Sequence, residues 1–204
     1  MRTVIALRGK ARTVFALLAM LAKASGMLPC AEDLGAVPPC VPKVMAELGV
    51  LGLRIPRWTR DWDRPGQPYI ALADYPELSV CTPSVHDTST LRGWWENEGE
   101  KQGFAVACCP EHQGKDKLDP QTARSVLSNL ATAASRLFVL QLQDLLDLDS
   151  AYLSEDAAKD RINVPGIVDD YNWTWRMGPE AETLLADKTW LETVRSIADY
   201  GQRI

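Results

Sequence analysis

The chain has 204 residues, 46% hydrophobic and 24% charged, and its 22 basic and 27 acidic side chains give a formal net charge of −5. That profile supplies material for a globular core and excludes long disorder or a fibrous repeat. The acidic balance excludes the broad basic footprint of a general nucleic-acid binder, and the apolar runs fall short of the roughly 18 residues a membrane span needs.

In chain order, Val14, Leu17, Leu18 and Leu21 recur at i, i+3, i+4 and i+7 and predict an amphipathic helix. The same N-terminal stretch, basic and then apolar, loosely imitates a secretory signal. Lys23 stands where cleavage needs a small neutral residue, so the helix is the preferred reading. Residues 27–31, MLPCA, read as a short strand ending at Glu32-Asp33. Residues 38–48 read as a helix with early prolines and Gly49 as its stop. A second strand is expected at 51–55, LGLRI, and a Pro- and Gly-bearing loop then runs through Tyr75. Residues 78–82, LSVCT, predict a third strand that leads into His86-Asp87. A helix is expected over 90–98, and the charged stretch 99–117 is expected to be exposed. Asp119 and Pro120 suit the N-cap and first turn of a helix over 121–135. A fourth strand is expected at 137–142, LFVLQL, meeting Gln143-Asp144, and one or two amphipathic helices over 179–200.

Strand, polar tip, helix and next strand in alternation is the pattern of βαβ units around a parallel sheet, whose strands are covered on both faces and so read as continuous apolar runs. In such folds functional groups collect at the carboxyl ends of strands. Three strand ends here present carboxylates: Glu32-Asp33, His86-Asp87 and Asp144. A single aspartate after a strand is usually a cap or loop residue, but three around one rim suit glycosidic chemistry, in which an acid protonates the leaving oxygen and an anion stabilises an oxocarbenium-like centre. Seven tryptophans against three phenylalanines support that reading, since an exposed indole face suits a sugar ring. The bland alternative is that Trp94-Trp95 and Trp173/Trp175 pack cores and helices. Cys108, Cys109 and His112 lack a fourth ligand at metal spacing, and no phosphate-binding glycine loop occurs, so no metal and no cofactor is expected. The five cysteines are odd in number and irregularly spaced, which fits a reducing, cytoplasmic setting; the sequon at Asn172 matters only for a secreted chain.

The segment MLPCAEDLG (27–35) resembles the acid/base signature of the 4-α-glucanotransferases, the amylomaltase or disproportionating-enzyme family. VCTPSVHDTSTLRGWW (80–95), LQLQDLL (140–146), RINVPG (161–166) and NWTWR (172–176) are similar to that family's later motifs, in order. The resemblance implies the C-terminal half, about strands 5–8, of a TIM-type (β/α)8 barrel with C-terminal helices, residues 1–204 forming one partial barrel domain. It implies Glu32 as general acid/base, Asp87 as transition-state stabiliser, and Asp33, His86, Asn163 and Pro165 as substrate-binding residues. The partners it implies are α-1,4-glucans and maltooligosaccharides, with neither nucleic acid nor membrane, and exposed half-barrel edges would favour self-association.

One departure matters. The family's nucleophile is an aspartate at the end of strand 4, and the first acidic residue of this chain is Glu32. The isolated chain is therefore expected to lack transferase activity, either as a truncated gene product of an active parent or as a non-catalytic remnant that at most binds glucan weakly.

Overall fold

The computed structural model describes residues 2–98 and 100–202. Four strands, β1 (Cys30–Ala31), β2 (Leu51–Arg54), β3 (Ser79–Cys81) and β4 (Leu137–Phe138), form one sheet in sequence order, every pairing parallel. Gly52 faces Ser79 and Arg54 faces Cys81, so the ends of β2 and β3 stay level. Burial rises from the edges of the sheet toward β3, and in β2 only Leu51 and Gly52 are fully covered. Ser79, Val80 and Cys81 are buried, whereas Cys30 and Leu137 on the flanking strands are exposed. The expectation that all four runs lie covered on both faces fails at the edges, and the two outer strands are correspondingly shorter than 27–31 and 137–142. With no second neighbour among the described residues, pairing lapses within two residues.

Among the described residues eight α-helices accompany the sheet: α1 (Arg2–Ser25), α2 (Val41–Leu48), α3 (Leu91–Asn97), α4 (Lys101–Cys108), α5 (Pro120–Ala131), α6 (Leu142–Leu146), α7 (Ala181–Ala186) and α8 (Lys188–Tyr200). Local chemistry explains their ends. Gly49 caps α2 in the left-handed region at φ 68°. Thr90 caps α3 by accepting from the Gly93 N–H, and Asp119 caps α5 by accepting from the Thr122 N–H at 2.8 Å. The α5 helix stops at Ala131, short of the expected Ser135, because Ser135 turns to accept a 2.7 Å hydrogen bond from the Ser79 hydroxyl on β3.

The predicted apolar stripe of α1 exists but is not covered: Val14, Leu17 and Leu21 are exposed, while the helix packs along α2 and Arg12 pairs with Glu47. No helix is long and apolar enough to cross a membrane among the described residues. The largest correction falls on residues 99–117, of which Gly99 lies outside the description. Charge led to an exposed reading, yet Phe104, Ala105 and Cys108 of α4 are buried in the main core with Trp94, Trp95, Val126, Leu127, Leu130 and Ile197. The one charge on α4 is Lys101, which pairs with Asp116, whereas Phe104 meets Trp94 edge-on at 5.2 Å. The Trp94-Trp95 pair is therefore core, as the bland alternative held. No disulfide forms among the described residues, and burial pushes the thiols of Cys108 and Cys109 up to about 12, which removes them as thiolate nucleophiles.

Candidate active site

The loops after β1 and β3 build the site. Glu32 directly follows β1, is exposed, and lines a cavity of about 540 Å³ with His86, Asp87, Trp58, Leu53 and Pro165. Two carboxylates from tips of different strands thus share one solvent-open pocket with an aromatic wall. A carboxylate pair of this kind can divide proton transfer and charge stabilisation between two groups.

Asp87 is the better-held of the two. Its Oδ1 accepts a 2.6 Å hydrogen bond from Asn163 Nδ2, and its Oδ2 lies 3.2 Å from His86 Nε2. The Asn163 backbone N–H donates to the His86 carbonyl. Arg161, which sequence reasoning did not single out, clamps both partners: its Nε donates to the Asn163 carbonyl at 2.8 Å and its Nη2 to the Asp87 carbonyl at 3.1 Å. Its place two residues before Asn163 in RINVPG was the available signal. Residues 161–173 therefore act as a strap that fixes the direction of the Asp87 carboxylate.

The structure brings Glu32, His86, Asp87 and Pro165 to one cavity and ties Asn163 to it. Asp33 sits differently. Its Oδ1 accepts the Leu53 N–H at 2.7 Å and its Oδ2 pairs with Arg54 at 3.0 Å, with the side chain only 6% exposed. The carboxylate crosses so close to β2 that a Cβ on Gly52 would lie 2.7 Å from Oδ2, which explains a glycine there. Asp33 so joins β1 to β2 and lines a neighbouring groove of about 760 Å³ that contains Trp58 and Trp62.

Asp144 corrects the idea of three rim carboxylates. It is buried, and it accepts hydrogen bonds from the Leu91 N–H and the Ser84 hydroxyl, both at 3.1 Å. It holds the start of α3 against the end of β3 and faces no ligand space. Burial pushes its carboxyl above the ordinary range, against the pull of those hydrogen bonds and of Arg57. Arg57 is itself buried, with its guanidinium 5.1 Å over the Trp94 ring; desolvation draws it down to about 10. Among the described residues no three His, Cys, Asp or Glu side chains converge as metal ligands.

A family model described as 4-alpha-glucanotransferase matches residues 5–181. The chain belongs to the 4-alpha-glucanotransferase family. It is 34% identical to the rice 4-alpha-glucanotransferase DPE2 over 91% of its own length and 20% of that protein. It is 35% identical to the 4-alpha-glucanotransferase of Chlamydia pneumoniae over 84% of its length and 32% of the relative. The chain thus spans about a fifth to a third of the curated relatives it matches. An amylomaltase from Streptococcus agalactiae, solved in complex with acarbose, superposes with a TM-score of 0.63 at 23% identity, covering 92% of this chain and 34% of that one. Amylomaltase from Corynebacterium glutamicum superposes at 0.68 and 16% identity, covering 92% and 30%. The four parallel strands are accordingly the C-terminal part of a TIM-type (β/α)8 barrel, about strands 5–8, with C-terminal helices.

Proposed function

We propose that this chain carries the acid/base side of a retaining site that transfers a segment of a 1,4-α-glucan to the 4-hydroxyl of an acceptor glucan or glucose. The observation that supports it most is the shared cavity of Glu32 and Asp87, with Asp87 held by Asn163 and Arg161. In the reaction such a site serves, a nucleophilic carboxylate attacks C1 and the C1–O bond to the departing chain breaks. Glu32 gives its proton to that oxygen. In the second half the acceptor 4-hydroxyl attacks C1, the bond to the nucleophile breaks, and the hydroxyl proton returns to Glu32. Asp87 stays anionic and stabilises the positive charge that grows at the ring. His86, Asn163 and Pro165 lie against the sugar in this reading, whereas Asp33, expected as a substrate contact, is engaged with Leu53 and Arg54 and supports the site by joining β1 to β2. Maltodextrin, starch or glycogen chains in a cytoplasmic setting are the substrates proposed.

Retention needs two carboxyl groups about 5–5.5 Å apart, one of them the nucleophile. Asp33 is engaged with Arg54 and Leu53, and no acidic residue precedes Glu32. The isolated 204-residue chain therefore binds maltooligosaccharide without turning it over. Incubation of the pure chain with maltotriose, followed by chromatography, should show neither glucose nor maltopentaose, while calorimetry detects maltotriose binding. Robust disproportionation, or no binding at all, would refute this reading.

A further inference from the structure

We infer that Trp173 is a sugar-stacking platform at the edge of the Glu32/Asp87 cavity, locked in place by Asn172 and reaching the reacting region through His86. The inference rests on the glucan-site reading above and adds a contact residue to it.

The backbone at Trp173 is the first observation. Its φ is 67°, in the left-handed region that suits glycine and disfavours a bulky side chain. Such a conformation persists only where surrounding bonds impose it, and here they do. The Asn172 side chain accepts the Val164 N–H at 2.9 Å and donates to the carbonyls of Ile167 at 2.8 Å and Val164 at 3.4 Å. Asp169 accepts the N–H groups of Tyr171 and Asn172, and the Trp173 N–H donates to the Ile162 carbonyl at 2.8 Å. These bonds also account for the sequon, because the Asn172 amide is engaged within its own loop.

Burial gives no return for the strained conformation. Trp173 is 64% exposed, so its indole contributes little to a core, and a glycine would fit the backbone without strain. What the indole does have is a position. Its ring centroid lies 5.2 Å from that of His86 at an angle of 39°, and His86 Nε2 lies 3.2 Å from Asp87. Trp173, His86 and Asp87 thus form a row from open solvent into the cavity, with much of the indole surface open beside the imidazole. Large, exposed and rigidly presented aromatic surface next to hydroxyl-binding groups matches a neutral pyranose ring, with apolar C–H faces and polar edges. Two residues on, Trp175 turns its Nε1 toward Asp160 and packs on the cluster of Leu146, Leu184 and Trp190. One indole of the NWTWR segment packs and the other is presented.

The test is 19F NMR on the full chain labelled with 5-fluorotryptophan, titrated with maltotriose, beside Trp173→Gly and Trp173→Phe. The resonance missing from the Trp173→Phe spectrum identifies Trp173 among the seven tryptophans. That resonance should shift on titration. Trp173→Gly should lose about ten-fold in maltotriose affinity while its thermal midpoint stays level or rises, and Trp173→Phe should keep most of the affinity. If maltotriose binds but the Trp173 resonance stays fixed and Trp173→Gly binds like the parent, the platform is overturned and the glucan site stands. A Trp173→Gly chain that melts earlier in proportion to its lost affinity assigns Trp173 a structural role and also overturns it. Absence of binding by the parent chain overturns the glucan reading itself, and the platform with it.

Discussion

Replacing Arg92 with methionine should be the most damaging single change outside the cavity. Arg92 is 4% exposed in its side chain, with Nε 3.0 Å from Asp147 and Nη2 3.0 Å from Asp160; it also donates to the Ser154 carbonyl and hydroxyl. Asp147 is equally buried at 4% and Asp160 is 14% exposed. Methionine keeps the stem volume and removes the cation, leaving Asp160 with only Ser154 and Trp175 as donors and Asp147 buried beside no positive charge. Breaking a buried ion pair from one side costs about 3–5 kcal/mol. Burial already favours the protonated form of Asp147 at pH 7, so the lost charge partner counts mainly at Asp160, and the loss lies in the lower half of that range, about 3–4 kcal/mol. At roughly 2–4 °C per kcal/mol for a chain of this size, the thermal midpoint should fall by about 6–16 °C. Circular dichroism melts at pH 7 read the shift directly. The consequence reaches the site, because Asp160 precedes Arg161, whose guanidinium clamps Asn163 and Asp87. Maltotriose binding should therefore weaken in Arg92→Met even well below its midpoint, and adding Asp147→Asn should recover part of the stability. A midpoint within about 2 °C of the parent would show that the cluster is solvated or loosely held, and would refute the reasoning.

Asp147 itself sets a pH dependence. Burial pushes its carboxyl up to about 8, against Arg92 and with the help of like charge from Asp144, Asp160 and Glu96. The folded chain then holds a proton that the unfolded chain releases near pH 4. The stability this group contributes is full below about pH 4 and is lost as pH rises toward about 8, at no more than about 1.4 kcal/mol per pH unit. Urea midpoints at pH 5, 6.5 and 8 should fall less steeply for Asp147→Asn than for the parent; parallel slopes would contradict the assignment. Where α8 ends against α5, a Cβ on Gly201 would lie 2.6 Å from the Ala131 carbonyl oxygen and 2.8 Å from its Cβ. Neither atom can rotate away, so Gly201→Ala should prise the end of α8 from α5 and cost about 1–3 kcal/mol. An unchanged urea midpoint would mean that the α8 terminus moves freely.

Much of the site was legible in the sequence, because the signals there are local. The strand-then-acid junctions at Glu32 and at His86-Asp87, with RINVPG, carried the residues that the fold gathers around one cavity or ties to it. Asp144 has the same local signature and a different fate. A carboxylate beyond a strand tip reads alike whether it looks into a pocket or receives the N–H of a following helix, and only the packing of α3 over β3 tells them apart. The α4 helix failed for a related reason: its one charge, Lys101, pairs with Asp116, while Phe104 joins the tryptophans of α3 and the aliphatic side chains of α5 and α8, a partnership no short window of sequence contains. Trp173 shows the converse. Its type was visible in the sequence, but the positive φ and the Asn172 bonds that distinguish it from Trp175 belong to a loop closed on itself between residues 162 and 173. Along this chain residue chemistry located the carboxylates, and long-range hydrogen bonding decided which of them face the open cavity and which indole of residues 172–176 stays exposed beside His86. Side-chain substitutions that spare those bonds should therefore alter ligand contact alone, whereas substitutions at Arg92, Arg161 or Asn172 should alter both the fold of the strap and the direction of Asp87.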